Sequence, residues 1–439
     1  MYQTIVIGGG PSGLMAAISS SQNGQPVLLL EKKKGLGRKL KISGGGRCNV
    51  TNNLPYAEII QHIPGNGKFL YSPFSIFDNQ SIIEFFESRG VALKEEDHGR
   101  MFPVSNQSQD VLDALIRELK QNKVTVKEEQ TVVDVKKVDS DHFQVQLQDG
   151  DTYKAKTVII ATGGTSVPQT GSTGDGYRFA QSLGHHITEL FPTEVPIKSN
   201  APFIKNQSLK GLSLKNVGLS VLKKNGKKRI THQMDMLFTH FGISGPAALR
   251  CSQFIYHEQK SQKQQNIQMQ IDAFPEINEE ALKQKITKQL KSQPDKHIKN
   301  ALKGLIEERY LTLIIDSAGI PFETTYHHIS AQQLSTLAHQ FKAFTFEVYG
   351  TLPLEKAFVT GGGVSIKEIV PTTMESKITP GLYLCGEVLD IHGYTGGYNI
   401  TSALVTGYVA RLLRWLCRIK INHRHTTFPH LKLITSWGF

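Results

Sequence analysis

The chain opens on an uninterrupted apolar run, Ile5-Val6-Ile7, that passes directly into Gly8-Gly9-Gly10. A run without polar alternation predicts a strand buried on both faces, as in a parallel sheet. A helix is expected from near Ser12, and Val27-Leu28-Leu29-Leu30 forms a second unbroken run closed by Glu31. Helical spacing recurs over 81–89 and 109–120. Next, 124–126, 131–137, 143–147 and 157–160 alternate with turn residues such as Asp149-Gly150, which predicts a β-meander leading into one last buried strand. That strand ends at Ala161-Thr162-Gly163-Gly164. From about 191, Pro192, Pro196, Pro202 and Gly211 punctuate short alternating segments, and Asn225-Gly226 marks a hairpin. Residues 267–271 read as another strand. Helical periodicity then runs over 277–340, through Leu282, Ile286 and Leu290 and again through Ile298, Leu302 and Ile306. Strand character returns at 344–348 and 382–384, and a last helix begins near Ile400. The alternation predicts a nucleotide-binding α/β domain split by a two-part insertion.

The first βαβ unit has the chemistry of a dinucleotide site. Gly8 allows a tight turn, Gly10 lets the backbone approach a pyrophosphate, and Gly13 lets the helix lie against the strand. The helix N-terminus then offers free N–H groups and partial positive charge. Glu31 stands 18 residues beyond Gly13, close to the roughly 20 expected of a ribose-binding carboxylate. A second cluster, Gly37-Arg38-Lys39-Leu40-Lys41-Ile42-Ser43-Gly44-Gly45-Gly46-Arg47-Cys48-Asn49, suits a backbone passing close to a flat ligand and its phosphates. Ala161-Thr162-Gly163 ends a strand beside the first unit. A fourth cluster runs from Leu382 through Gly386-Glu387 to Gly396-Gly397-Tyr398-Asn399-Ile400. There Glu387 can bond a ribityl hydroxyl, and the helix starting at Ile400 can stabilise charge on a reduced ring. A nicotinamide enzyme has no use for this second strand–turn–helix. A flavin enzyme does, because its cofactor spans the sheet.

Composition narrows the classes. The 39% hydrophobic and 20% charged fractions are those of a globular protein, and 439 residues predict two or three domains. Cys48, Cys251, Cys385 and Cys417 are scattered with no C-x-x-C pair, which argues against a disulfide framework, a metal site or a dithiol couple and leads us to expect a reducing cytoplasm. No signal peptide is indicated, and the longest apolar stretch, 403–417, is broken by Arg411 and Arg414, so no membrane span is expected. The net charge of +12 admits nucleic acid, a membrane surface or anionic small molecules. The lysines read mainly as interspersed on a solvated surface. A nucleic-acid partner is the weaker expectation, and the charge leaves it open.

Four motifs carry a family resemblance: Gly-Gly-Gly-Pro-Ser-Gly at 8–13, Gly-Arg-Lys-Leu-Lys-Ile-Ser-Gly-Gly-Gly-Arg-Cys-Asn-Val-Thr-Asn at 37–52, Phe-Thr-His-Phe-Gly-Ile-Ser-Gly-Pro at 238–246 and Gly-Glu-Val-Leu-Asp-Ile-His-Gly-Tyr-Thr-Gly-Gly-Tyr-Asn at 386–399. With these, residues 1 to about 415 resemble the bacterial NAD(P)/FAD-dependent oxidoreductases of the BaiN (bile-acid-reductase-like) and aminoacetone-oxidase-like group. The resemblance implies a glutathione-reductase-type FAD-binding Rossmann domain (1–190 and 354–420). A β-barrel (191–275 and 341–353) would interrupt it and itself carry a helical insert (276–340), with a tail at 421–439. It implies FAD contacts from Gly8, Gly10, Pro11, Ser12, Gly13, Glu31, Lys32, Arg38, Lys39, Ser43, Gly44, Arg47, Cys48, Asn49, the backbone near Val133, Ala161, Thr162, Gly163, Gly386, Glu387, Tyr398, Asn399 and Ile400.

Gly361-Gly362-Gly363 lacks the following glycine spacing and a downstream acid, so no second nucleotide-binding unit is expected. An NAD(P)H donor would enter the substrate cleft directly. The catalytic candidates are Arg47, as anchor for an anionic or carbonyl substrate, His392 beside the ring, and His240, either a proton donor or a structural residue. Cys48 reads as a packing or flavin contact rather than a redox group, and Tyr394 and Tyr398 as walls of the substrate site. The expected activity is FAD-dependent hydride transfer with a small organic substrate. Its rivals are amine oxidation by O2 and, in another class, a tRNA-modifying flavoprotein.

Overall fold

The computed structural model describes residues 1–412. Expectations for Cys417 and the 421–439 tail lie outside the described residues.

The apolar runs assemble the first sheet. Its order is Thr125–Lys127, Val27–Leu30, Tyr2–Ile7 and Thr152–Ile160, all parallel. Thr152–Ile160 then divides its free edge. Its first half pairs antiparallel with Phe143–Leu147, which pairs with Val132–Lys137, and its second half pairs parallel with Leu382–Leu384. Ile5, Val6, Leu28, Leu29, Ile159 and Ile160 are at most 1% exposed, as runs without alternation require. Thr125–Lys127 corrects one expectation. Rather than beginning the meander, it caps the opposite end of the sheet, because its hydrogen bonds go to Val27–Leu30.

Two helices cover this sheet where the strands end. Pro11–Ser21 and Tyr398–Val409 are buried along nearly their whole length and lie against one another. Both are made mostly of apolar and small hydroxyl residues without a charge, and the hydroxyls of Ser19, Ser21, Ser402 and Thr406 bond to carbonyls one turn back, which lets every face enter the core. Their contact is close: a Cβ on Gly407 would stand 2.3 Å from the Ser12 carbonyl oxygen. The two ends of the described chain are thereby joined. Within the glycine-rich cluster and just beyond it, the chain forms a helix at Arg38–Ile42 and a short strand at Thr51–Asn52 paired with Arg100–Pro103.

The second body has its own apolar core. Its seven-stranded sheet runs Phe344–Val348, Ile267–Asp272, Ser213–Leu222, Lys228–Phe238, Gly242–Ser244, Ile197–Lys198 and Gly350–Thr351. The first and last of these are separated by Tyr349 alone, so one short stretch of chain stands at both ends of the strand order. Glu279–Lys291, Ile298–Ala301, Glu308–Ser317 and Ala331–Ala343 supply the helical periodicity read over 277–340. The helix Pro246–Gln262 was not anticipated inside the alternating segment. It starts with Pro246 in its first turn after Gly245 and buries Ala247, Ala248, Cys251 and Ile255 at helical spacing.

Candidate functional site

Where the two bodies meet lies an elongated cavity of about 930 Å³. One end is the glycine turn. Gly13 admits the helix only because it has no side chain: a Cβ there would stand 1.8 Å from the Gly8 carbonyl oxygen. Gly10 caps Pro11–Ser21 without any side-chain cap, and a Cβ built on it meets nothing within 4 Å, so its open side faces the cavity. The free N–H groups of this turn are what an anionic pyrophosphate requires. Glu31 lines the same end, accepting from the Gly9 N–H at 2.7 Å and the Lys33 N–H at 2.9 Å. Lys32 is also on the wall, ion-paired with Asp175.

In the middle, Glu387 ties together four segments. Lys39 Nζ lies 2.9 Å from one carboxylate oxygen, while the Thr360 N–H and the Ser166 hydroxyl donate to the other at 2.9 and 3.1 Å. Burial pushes this carboxyl up, but Lys39 and the two donors outweigh burial and hold it below its usual value. Glu387 therefore remains charged. Arg38, Ser43, Gly44, Asn49, Ala161, Thr162, Gly163 and Gly386 share this stretch of wall, as do Gly8, Pro11 and Ser12 nearer the turn. Asn49 Oδ1 and Thr162 Oγ1 are buried without a partner in the protein. Unpaired buried polar atoms on a cavity wall call for a ligand that bonds them. Together with the open side of Gly10, they show that this lining fits an extended dinucleotide.

The far end is built differently. Tyr394, Thr395, Tyr398, Asn399 and Ile400 line it, with the N-terminus of Tyr398–Val409 left without a side-chain cap. Facing them is Arg250, in the second turn of Pro246–Gln262. Its guanidinium lies 5.1 Å over the Tyr394 ring, one Nη donates to the Thr395 carbonyl at 3.4 Å, and Nε has no partner. Behind this wall Glu194 is 1% exposed: one oxygen accepts from the Thr395 N–H at 2.7 Å and the other is unpartnered. Burial pushes its carboxyl up to about 7, against the Thr395 donor and the Arg250 charge. His232 stands edge-on to Tyr394, 5.0 Å between ring centres, with Nε2 unpartnered. Burial, and then the Arg250 charge, lower it to about 4. Arg250, Glu194 and His232 went unnoticed in the sequence. Only the helix-start signal Gly245-Pro246, with Arg250 four residues on, pointed toward them.

Several expected contacts lie elsewhere, and these placements are corrections. Arg47 is outside the cavity lining: it is ion-paired with Glu96 at 2.8 Å and lies 4.0 Å over the Phe102 ring, so its charge is spent on the protein. Cys48 is fully buried beyond the wall, and burial pushes its thiol up to about 12, which removes any thiolate. Gly13 works by close packing rather than by touching the cavity. Near Val133 it is Gln130 and Val132 that reach the lining, while the Val133 carbonyl accepts from Arg178 at 2.6 Å. His240 is exposed, outside the lining, against Phe241. His392 is buried behind Ile391 and bonded to Gln253 at 3.2 Å. Burial lowers it to about 4, and it too is off the wall.

A family described as the HI0933-like protein Rossmann domain matches residues 2–412. The Escherichia coli protein named ribosomal RNA dihydrouridine synthase is 30% identical over 92% of this chain and 95% of its own length. A Haemophilus influenzae protein of the same name is 30% identical over 93% and 98%. The Clostridium scindens 3-dehydro-bile acid delta(4,6)-reductase is 30% identical over 92% and 97%.

Proposed function

Because the chain belongs to the HI0933-like Rossmann family of flavoprotein oxidoreductases, we propose that it is an FAD-dependent reductase of a carbon–carbon double bond conjugated to a carbonyl. The observation that carries this reading is Arg250, a cation with an unspent buried donor on the cavity wall beside the uncapped helix N-terminus. A conjugated carbonyl accumulates negative charge on oxygen as hydride reaches its β-carbon, and a preplaced guanidinium stabilises that charge. The names of the relatives support the same chemistry. A 3-dehydro Δ4 steroid and a uracil ring each present an alkene next to a carbonyl.

FAD, when bound, supplies the hydride. The residues of the chain do the rest. The Gly8–Gly10 turn and the N-terminus of Pro11–Ser21 hold the pyrophosphate, and Glu31 holds the ribose. The Lys39–Glu387 pair orders the middle of the site. The N–H groups at Asn399 and Ile400 favour negative charge at the ring end. Arg250 orients the substrate carbonyl, and Tyr394, whose hydroxyl burial keeps protonated, is the donor available on the wall for the α-carbon proton. Glu194 acts through Thr395 and Arg250 as a positioning residue. An NAD(P)H donor would reach the ring end through the same cleft.

Anaerobic titration tests this directly. NADPH or NADH should bleach the flavin absorbance, and a simple cyclic enone should restore it. If a primary amine bleaches the flavin and neither nicotinamide does, the protein is an amine oxidase and the reading fails. A second reading within the same chemistry, a uracil in RNA as the reducible group, is favoured by the +12 net charge.

A further inference from the structure

The tip of the long hairpin formed by Ser213–Leu222 and Lys228–Phe238 gathers Lys223, Lys224, Lys227, Lys228 and Arg229, all exposed. The turn is closed by the Lys223 N–H on the Lys227 carbonyl at 2.8 Å and the Gly226 N–H on the Lys223 carbonyl at 2.9 Å, so the charges sit on an ordered loop. Arg229 pairs with Glu258 at 3.4 Å. Among the described residues the four lysines have no carboxylate partner, whereas Lys215 and Lys260 of the same body pair with Asp235 and Glu189. The flanking Leu222 is buried, and no large apolar side chain is exposed at the tip to enter a lipid surface. Farther along the same two strands, Asn216, Gln233, Met234 and Asp235 line the cavity. From Lys228 to Gln233 is about 17 Å at ~3.4 Å per residue. That is about five stacked nucleotides.

We propose that the 223–229 turn is a docking arm for the phosphate backbone of an RNA strand whose base enters the cavity. A small free substrate would have no use for four uncompensated cations at that distance, whereas a polyanion gains by releasing its counterions onto them. The proposal rests on the second reading above, a uracil in RNA as substrate.

The test is the salt dependence of binding of the flavin-loaded full chain to a short, labelled, uridine-containing single-stranded RNA, from about 50 to 200 mM salt. Replacing the four lysines together (K223Q/K224Q/K227Q/K228Q) should flatten the log–log slope by about 3, at ~0.7 per contact, and weaken binding at least about tenfold. Flavin content and bleaching by NAD(P)H should stay unchanged. A control with the same charge loss on the helical insert (K288Q/K291Q/K296Q/K303Q) should leave the slope as it was. The arm is refuted if wild-type protein does not bind the RNA, if the hairpin variant binds like wild type, or if the control loses as much. It is also refuted if the lysines matter for anionic phosphatidylserine vesicles and not for RNA. Should the hairpin variant lose RNA while wild type reduces no uridine in the bound strand, the arm stands and the uracil reading falls.

Discussion

The two ends of the cavity solve opposite problems. At the glycine turn, recognition is by backbone: Gly10 exposes amides, Gly13 allows the helix to close in, and the nearby carboxylate of Glu31 is already engaged by two N–H groups. At the far end, side chains keep capacity left over: Arg250 Nε on the lining, and Glu194 Oε1 and His232 Nε2 in the layer behind it, are all buried without a partner. A buried polar group without a partner is costly, and on a cavity wall, as at Arg250 here and at Asn49 and Thr162 farther along, it calls for a bound molecule. On the proposed function, the first end takes the cofactor and the second the substrate.

Gly13→Val should have the largest effect and break the first end outright. Its Cβ would fall within 1.8 Å of the Gly8 carbonyl oxygen, so the variant should purify colourless and refuse added FAD, read by absorbance and by equilibrium dialysis. Arg250→Met should break only the second. The flavin should remain at wild-type stoichiometry while kcat/KM for an enone falls by about 10²–10³, the usual cost of removing one oxyanion donor. If flavin content falls as well, the two ends are not separable.

A pH effect sharpens the contrast. Glu194 is raised in the folded chain from about 4.5 to about 7, so the folded state binds the extra proton. Its contribution to stability is present below the unfolded pKa and is lost as pH rises through about 7, a fall of about 3 kcal/mol at 1.36 kcal/mol per unit. Urea midpoints of the apo protein should therefore drop between pH 5 and 8. In Glu194→Gln that drop should shrink. The smallest effect is expected at Cys48→Ala. With its thiol pushed to about 12, turnover should change by less than about twofold. A large loss would contradict the packing role and point to thiol chemistry.

The difference between the ends also explains what could be read from the chain. Gly8, Gly10, Gly13 and Glu31 work through local geometry over a few dozen consecutive residues, so spacing alone exposes them. The unbroken apolar runs likewise announce the parallel sheet. Tyr394 was legible as a wall of the site from its glycine-rich turn, but Arg250, Glu194 and His232 come from three other segments that only the fold brings against it, and no periodicity links them. The alternating pattern around Pro246 concealed a helix, because one signal, Gly-Pro, outweighed the local bias toward strand. Arg47, Cys48 and His240 misled for the converse reason. Each sits in a suggestive motif, but Glu96 and Phe102, complete burial, and exposure on Phe241, respectively, take them from the wall.

The most direct test is the electron density of the flavin-loaded protein in a crystal. The account predicts a single extended FAD with its pyrophosphate at the Gly8–Gly10 turn, its ring against the N–H groups of Asn399 and Ile400, and one face open toward Arg250. Density with the ring at the Glu31 end, or with Arg250 turned away from a bound enone, would contradict it.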